Sequence, residues 1–184
     1  MQLETLLHSE HIFLRTLQPS DASFNYLGWL SDPKINAHLE VRFSPPQSTA
    51  DLESFIASIN ASSHTLMLGI FLKEDDRHIG NIKLGPIDWH HQVGDVGFLI
   101  GDKGQWGKGF ASTAIALLAN YAFTHLKLAK VTAGCYAENE GSRRALQKAG
   151  FMEEGRRISQ WLVDGRRQDG ILLGCTDPTI AVQA

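Results

Sequence analysis

A glycine-rich turn in the middle of the chain constrains its fold more than any other stretch. Residues 104–111 read Gly-Gln-Trp-Gly-Lys-Gly-Phe-Ala, between an apolar segment at 94–100 and a long run of helical apolar spacing that begins at Ser112. Glycine adopts backbone conformations that a Cβ would obstruct, so Gly107 and Gly109 can direct successive N–H groups toward one point. The first turn of the following helix adds unpaired N–H groups of its own. Strand, glycine turn and helix therefore predict an anion site, for which a diphosphate is the natural ligand.

Three known kinds of phosphate loop can be compared with this turn. A Walker A loop ends in Gly-Lys-Ser/Thr, whereas Phe110-Ala111 stand at that point here. A dinucleotide fingerprint requires a third glycine where Ser112 stands and an acidic residue about 20 positions later, and both are absent. Residues 106–111 resemble the third kind, the coenzyme A pyrophosphate loop of GNAT acetyltransferases, usually written Gln/Arg-x-x-Gly-x-Gly/Ala. Trp106 departs from the Gln/Arg position, but Trp-Gly-Lys-Gly-aromatic-Ala is the usual form in the RimJ/RimL-like branch of that family.

A second motif and the order of elements extend the resemblance to residues 12–174. Asn139-Glu140-Gly141-Ser142 would cap a helix, and Gly150 would end it. The patterns predict strand, two helices, three strands, helix, strand, helix and two strands. This order indicates an α/β (α+β) fold: a mixed, mostly antiparallel central sheet of about seven strands with helices on both faces. In the GNAT fold strands 4 and 5, here 94–100 and 128–136, splay apart. Gly97 is a candidate for a bulge, which would be consistent with that splay, or for a site of close backbone approach.

Composition indicates one globular domain and argues against several classes of partner. The 184 residues suffice for a single domain, 1–184, with its core at about 11–175. A formal net charge of −3 provides no basic field for nucleic acid, and no apolar run approaches the ~20 residues of a membrane span. Cys135 and Cys175 form no disulfide framework, which favours a reducing, cytoplasmic compartment. The eight histidines show no metal-ligand spacing, so no metal is expected.

The resemblance implies acetyl-CoA as the donor, with pantetheine lying in the V between the two splayed strands. Backbone N–H groups of Leu99 and Ile100 would face the thioester carbonyl and stabilise the oxyanion of a tetrahedral intermediate. Asn139 would reach the pantetheine arm. Basic side chains of the following helix would either meet the adenosine phosphates or form a solvated face: Arg143, Arg144 and Lys148. The residues expected to hold the pyrophosphate are Gln105, Trp106, Gly107, Lys108, Gly109, Phe110 and Ala111.

The implied reaction is direct attack of a neutral amine on the thioester, which requires a base for the amine and an acid for the thiolate. Many GNAT members carry a tyrosine acid where Leu146 stands here. Ser142 resembles the serine that replaces it in the RimL-like branch, although helix capping would explain Ser142 equally well. Asp95 is the first candidate base, with a solvated strand-end charge as the other interpretation. Glu40 is the second, in a segment that usually forms the acceptor wall, where a carboxylate could instead bind a cationic amine.

Several alternatives stay open at the level of the sequence. His90-His91 could be catalytic or merely solvated, and Cys135 could carry the acetyl group covalently. The expected acceptor is a protein N-terminus or a small amine, with an amino sugar on a nucleotide carrier as the alternative. A non-catalytic acyl-CoA-binding sensor, favoured by the missing helix tyrosine, would bind the coenzyme without turnover. Homodimers are common in this branch, so a homodimer is expected, with neither nucleic acid nor membrane as a partner.

Overall fold

The computed structural model describes residues 1–163 and 165–180. Its strands are Leu7–His8 (β1), Ile12–Thr16 (β2), Leu66–Leu72 (β3), His78–Asp88 (β4), Val93–Ile100 (β5), Lys130–Tyr136 (β6), Met152–Val163 (β7) and Arg166–Thr176 (β8). Its α-helices are Phe24–Ser31 (α1), Pro33–Asn36 (α2), Thr49–Ala61 (α3), Phe110–Thr124 (α4) and Glu140–Lys148 (α5). None of these helices is long and apolar enough to cross a membrane.

The eight strands of the described residues form one sheet in the order β1-β2-β3-β4-β5-β6-β8-β7. Each neighbouring pair is antiparallel except β5 and β6, which run parallel. The predicted mixed, mostly antiparallel sheet is therefore confirmed. Its eighth strand is the two-residue β1, which pairs with β2 and which the sequence patterns did not predict. The turn predicted at Asp164-Gly165 includes Asp164, which lies outside the described residues, as do residues 181–184.

The two parallel strands separate after a short contact, as expected. Their pairing runs from Val93↔Lys130 to Asp95↔Thr132 and then stops, although β5 continues to Ile100. Beyond that point β6 stays paired with β8, and β5 stays paired with β4. Because each strand follows its outer neighbour, a V-shaped gap opens between them.

The bulge predicted at Gly97 is wrong. The β4–β5 register passes through Lys83↔Gly97 without interruption, and its irregularity falls between Leu84 and Ile87 instead. This irregularity lies opposite residues 94–96 of β5, and the pairing of β5 with β6 stops at Asp95, within the same stretch.

Helices cover both faces of the sheet, because the apolar residues of its strands alternate between them. The apolar stripe of α4 packs on one face, where Val96 of β5 belongs to the same core. Helices α1 and α3 cover the other face, and Leu99 of β5 packs against their cluster. Strand β5 therefore contributes side chains to both cores, one beneath α4 and the other beneath α1 and α3.

Candidate active site

The glycine loop opens into a cavity of about 640 Å³ at the wide end of the V. Gly107 and Gly109 have φ values of +76° and +86°, a left-handed region that suits glycine. Gly109 is also the N-cap of α4, so the first N–H groups of that helix follow it directly. The loop residues that line this cavity are Gln105, Trp106, Gly107, Gly109, Phe110 and Ala111.

Hydrogen bonds hold the loop against the end of β5. The Trp106 Nε1–H donates to the backbone oxygen of Ile100 at 2.7 Å. The Asp102 carboxylate accepts from the Gly104 N–H at 2.9 Å. Lys108 Nζ donates to Gln105 Oε1 at 2.9 Å, and Lys108 is not among the residues that line the cavity. Trp106 therefore fixes the loop to the end of the strand.

Leu99 and Ile100 both line the cavity, but their backbone groups face opposite ways. The Gly101 N–H donates to Ile79 of β4 at 2.8 Å, and alternate residues of a strand direct their N–H groups to the same side. The N–H of Leu99 therefore points toward β4, in agreement with the approach of its backbone oxygen to Gly80. The N–H of Ile100, and likewise that of Phe98, faces the gap between the strands.

Helix α5 forms the other wall of the cavity. Asn139 is its N-cap: the side-chain Oδ1 accepts from the Ser142 N–H at 3.1 Å. Asn139, Ser142 and Arg144 all line the cavity. Since the Asn139 side chain makes the cap, the half-buried Ser142 hydroxyl is not needed for that role. Arg144 Nε lies 3.3 Å from Glu140 Oε1, and this ion pair is on an exposed part of the helix.

The comparison with protein families agrees with this geometry. Residues 11–152 match the Acetyltransferase (GNAT) domain. The chain belongs to the GNAT acetyltransferase family. Its relatives include p20 of Bacillus licheniformis, an uncharacterized N-acetyltransferase that is 30% identical over 154 residues, covering 83% of this chain and 85% of p20. The spermidine N(1)-acetyltransferase of Vibrio cholerae is 34% identical over 101 residues, covering 54% and 58% of the two chains.

A solved structure extends the agreement to the whole fold. The crystal structure of spermidine N-acetyltransferase from Vibrio cholerae in complex with CoA and spermine superposes with a TM-score of 0.80 at 24% identity. The match covers 91% of this chain and 96% of that one. The family and its named relatives make this protein an acetyl-CoA-dependent N-acetyltransferase.

Asp95 is the last residue of β5 that pairs with β6, so it lies where the V begins. The Thr132 hydroxyl of β6 donates to its Oδ1 at 2.9 Å. Asp95 is exposed, but the protein around it partly desolvates its carboxyl and raises the pKa; the Thr132 hydrogen bond and the Lys83 charge offset part of that rise. A raised carboxyl pKa suits a general base. Asp95 does not line the cavity of the glycine loop.

Glu40 is held by a residue that sequence reasoning missed, Tyr136 at the end of β6. The Tyr136 hydroxyl donates to Glu40 Oε1 at 3.1 Å and accepts from Arg42 Nη2 at 2.9 Å. Trp161 stacks on the same ring, with 4.2 Å between centroids. Burial raises the pKa of the Tyr136 phenol, which therefore stays protonated near neutral pH. Glu40 thus belongs to an ordered polar cluster near the wide end of the V.

The remaining candidates do not line the cavity of the glycine loop. Leu146 is fully buried in the core, so this position of α5 provides no acid. Cys135 also faces that core, and burial raises the pKa of its thiol, which disfavours the thiolate that a covalent route needs. His90 and His91 lie in an exposed turn, with their rings 4.8 Å apart.

Proposed function

We propose that this enzyme transfers the acetyl group of acetyl-CoA to a primary amine by direct attack, through a tetrahedral intermediate. The observation that carries the proposal is the V between β5 and β6, which opens beside a glycine loop with two left-handed glycines. The amine nitrogen would form a bond to the thioester carbon, and the carbon–sulfur bond would then break. The amine would lose a proton to a base, and the departing thiolate would gain one from an acid.

Each step has a candidate group in the chain. The N–H groups of the glycine loop and of the first turn of α4 would hold the pyrophosphate. The N–H groups of Phe98 and Ile100 would stabilise the oxyanion, because they face the gap. Asp95 would accept the amine proton, directly or through a water, and Ser142 would donate to the thiolate.

The acceptor is proposed to be a protein N-terminus or a small amine, as the RimJ/RimL-like form of the loop suggests. An amino sugar on a nucleotide carrier is the alternative. A polyamine is a further possibility, because a relative and a fold neighbour carry spermidine N-acetyltransferase names. A non-catalytic acyl-CoA sensor rests on the apolar Leu146 alone. We also propose a cytoplasmic homodimer, which a single 20.3 kDa species in light scattering would contradict.

A thiol-release assay with acetyl-CoA would test this function. The panel should contain peptides with free N-termini, apolar monoamines, polyamines, aminoglycosides and 4-amino nucleotide sugars. We expect release of free coenzyme A with one class of amine, together with a higher melting temperature in acetyl-CoA. A thermal shift without release would favour the sensor. No thermal shift would contradict the assignment of the donor site.

Replacing Ser142 by alanine should lower kcat by about a hundredfold if its hydroxyl is the acid, since general acid–base groups contribute on the order of 10²–10⁴. The melting temperature should stay close to that of the wild type, because the Asn139 side chain accepts from the backbone N–H of residue 142 and not from its hydroxyl. Steady-state kinetics and thermal melts check both parts. Unchanged kcat would remove Ser142 from the mechanism.

A further inference from the structure

A second cavity of about 460 Å³ lies on the face of the sheet that α1 and α3 cover. It meets the first cavity at three shared residues, Leu39, Phe98 and Leu99. A ligand in it would therefore reach the half of β5 where the thioester is proposed to lie. Its walls and roof are mainly apolar and include Tyr26, Leu30, Val41, Leu52, Phe55 and Met67.

The floor of this cavity is the paired part of β4 and β5. Asn81 pairs with Leu99, and Lys83 pairs with Gly97. Val96 points into the core on the other face, so a side chain at 97 would point toward the cavity. A Cβ built on Gly97 meets nothing within 4 Å. Glycine inside a strand often marks a close approach by another group, and no part of the described chain makes that approach.

Asn81 supplies a polar group to this otherwise apolar site. Asn81 is buried, with 2% of its surface exposed. His78 Nε2 lies 2.9 Å from the Gly80 backbone oxygen and 2.9 Å from Asn81 Oδ1. Because the Gly80 oxygen can only accept, Nε2 carries the proton and the amide must face it with its oxygen. The Asn81 Nδ2 group is thereby turned away from His78, and it is buried with no partner among the described residues.

Lys83 gives the cavity its charge. It is the one charged side chain among the described residues that line it. No described carboxylate lies within 4 Å of its Nζ, and the Asp95 carboxylate, which interacts electrostatically with Lys83, does not line the cavity. A ligand with several positive charges would meet electrostatic repulsion here, whereas an apolar body with one oxygen acceptor would not.

We propose that this cavity is the acceptor pocket, and that the acceptor is a monoamine with an apolar body and a carbonyl-type oxygen close to the amine. The carbonyl oxygen would accept from Asn81 Nδ2, which completes an otherwise unpaired buried donor. The apolar body would lie over Gly97 beneath α1 and α3. The amine would then approach the thioester where the two cavities meet, a step that rests on the proposed acetyl transfer.

Four amines separate the features of this pocket: phenylalaninamide, 2-phenylethylamine, glycinamide and spermidine. Because an amine beside a carbonyl titrates at ~8 and an alkylamine at ~10.4, kcat/KM is calculated for every substrate from the concentration of unprotonated amine. On that basis we expect kcat/KM to be highest for phenylalaninamide, about tenfold above 2-phenylethylamine, which lacks the oxygen. Glycinamide lacks the apolar body and should also be slower. Higher kcat/KM for spermidine than for phenylalaninamide would overturn the inference.

Two variants test the roles of Gly97 and Asn81. The readout for each is the ratio of kcat/KM between two amines, and not activity alone. In Gly97→Leu the added side chain fills the floor, so the preference for phenylalaninamide over glycinamide should fall at least tenfold. Gly155→Leu is the matched control, a strand glycine in β7 that lines neither cavity and should keep the preference. In Asn81→Leu the ratio of phenylalaninamide to 2-phenylethylamine should approach one. A merely structural Asn81 would instead lower both rates by the same factor.

The outcomes distinguish this inference from the proposed function. Thiol release with spermidine or a sugar amine, but not with phenylalaninamide, would overturn the acceptor pocket and leave acetyl transfer in place. Absence of release with every amine would overturn both. The acetyl-CoA thermal shift of each variant shows that its fold and donor site are intact, and a ratio unchanged in Gly97→Leu would contradict the pocket.

Discussion

Replacing Gly109 by valine should weaken the binding of acetyl-CoA by about tenfold to a hundredfold, because strain of this kind costs on the order of 1–3 kcal/mol. The residue has φ +86° and precedes the first helical residue of α4, where its conformation directs the loop N–H groups. A β-branched side chain resists this region strongly. The loop must therefore either keep its shape under strain or turn its N–H groups away. Isothermal titration with acetyl-CoA measures the loss.

The control for this experiment is Gly165→Val. Gly165 has φ +77°, so valine there meets comparable backbone strain, but the residue lies between β7 and β8 and lines neither cavity. We expect a similar fall in melting temperature and unchanged affinity for acetyl-CoA. Wild-type affinity in Gly109→Val would mean that the diphosphate binds elsewhere.

The parts of the site that could be predicted from the sequence have local causes. The glycine loop is visible because a left-handed backbone favours glycine, and Gly107 and Gly109 both take that conformation. The helix after Asn139 is visible because a side-chain cap needs only an acceptor three residues before the N–H it binds. The strands of the sheet other than β1 follow from apolar runs and alternation. These signals lie within a few residues of the structure they specify.

The parts that could not be predicted depend on contacts between distant segments. Tyr136 reaches Arg42 and Glu40 across separations of 94 and 96 residues, and no local pattern joins a strand-end tyrosine to them. Gly97 shows the related limit: a glycine within a strand fits a bulge, a close approach or an open cavity, and only the neighbouring elements decide. Nothing in the sequence singled out Asn81, because its unpaired nitrogen depends on where His78 lies.

Asp95→Asn should lower kcat and at the same time raise thermal stability near neutral pH. The folded protein raises the pKa of Asp95 above its unfolded value of 3.8, so the fold disfavours the ionised form. As pH rises from below 3.8 through the folded pKa, ionisation therefore reduces the free energy of unfolding, and above that pKa the reduction is complete. Asparagine removes this pH-dependent cost and can still accept from Thr132.

Asp88→Asn provides the control of opposite sign. A hydrogen bond from the backbone N–H of His91 holds the pKa of Asp88 below its usual value. The Asp88 carboxylate therefore stabilises the fold above pH 3.8, and this contribution is lost as pH falls through the folded pKa. We expect Asp88→Asn to lower the melting temperature near pH 7 without changing kcat, since Asp88 pairs with Val93, at the end of β5 opposite to the cavity of the glycine loop. Thermal melts between pH 3 and 8, with kcat at pH 7, measure both variants.

The two readouts for Asp95 distinguish a base from a strand-end charge. A base should lose about a hundredfold or more in kcat on replacement, since general acid–base groups contribute on the order of 10²–10⁴. A solvated charge would leave kcat unchanged, and without desolvation the melting temperature at pH 7 would not rise. Higher stability combined with lower kcat would mean that the enzyme keeps a destabilising carboxylate at the point where β5 and β6 separate because the reaction requires it. Unchanged kcat would reassign the base to Glu40, which Tyr136 holds at the wide end of the V.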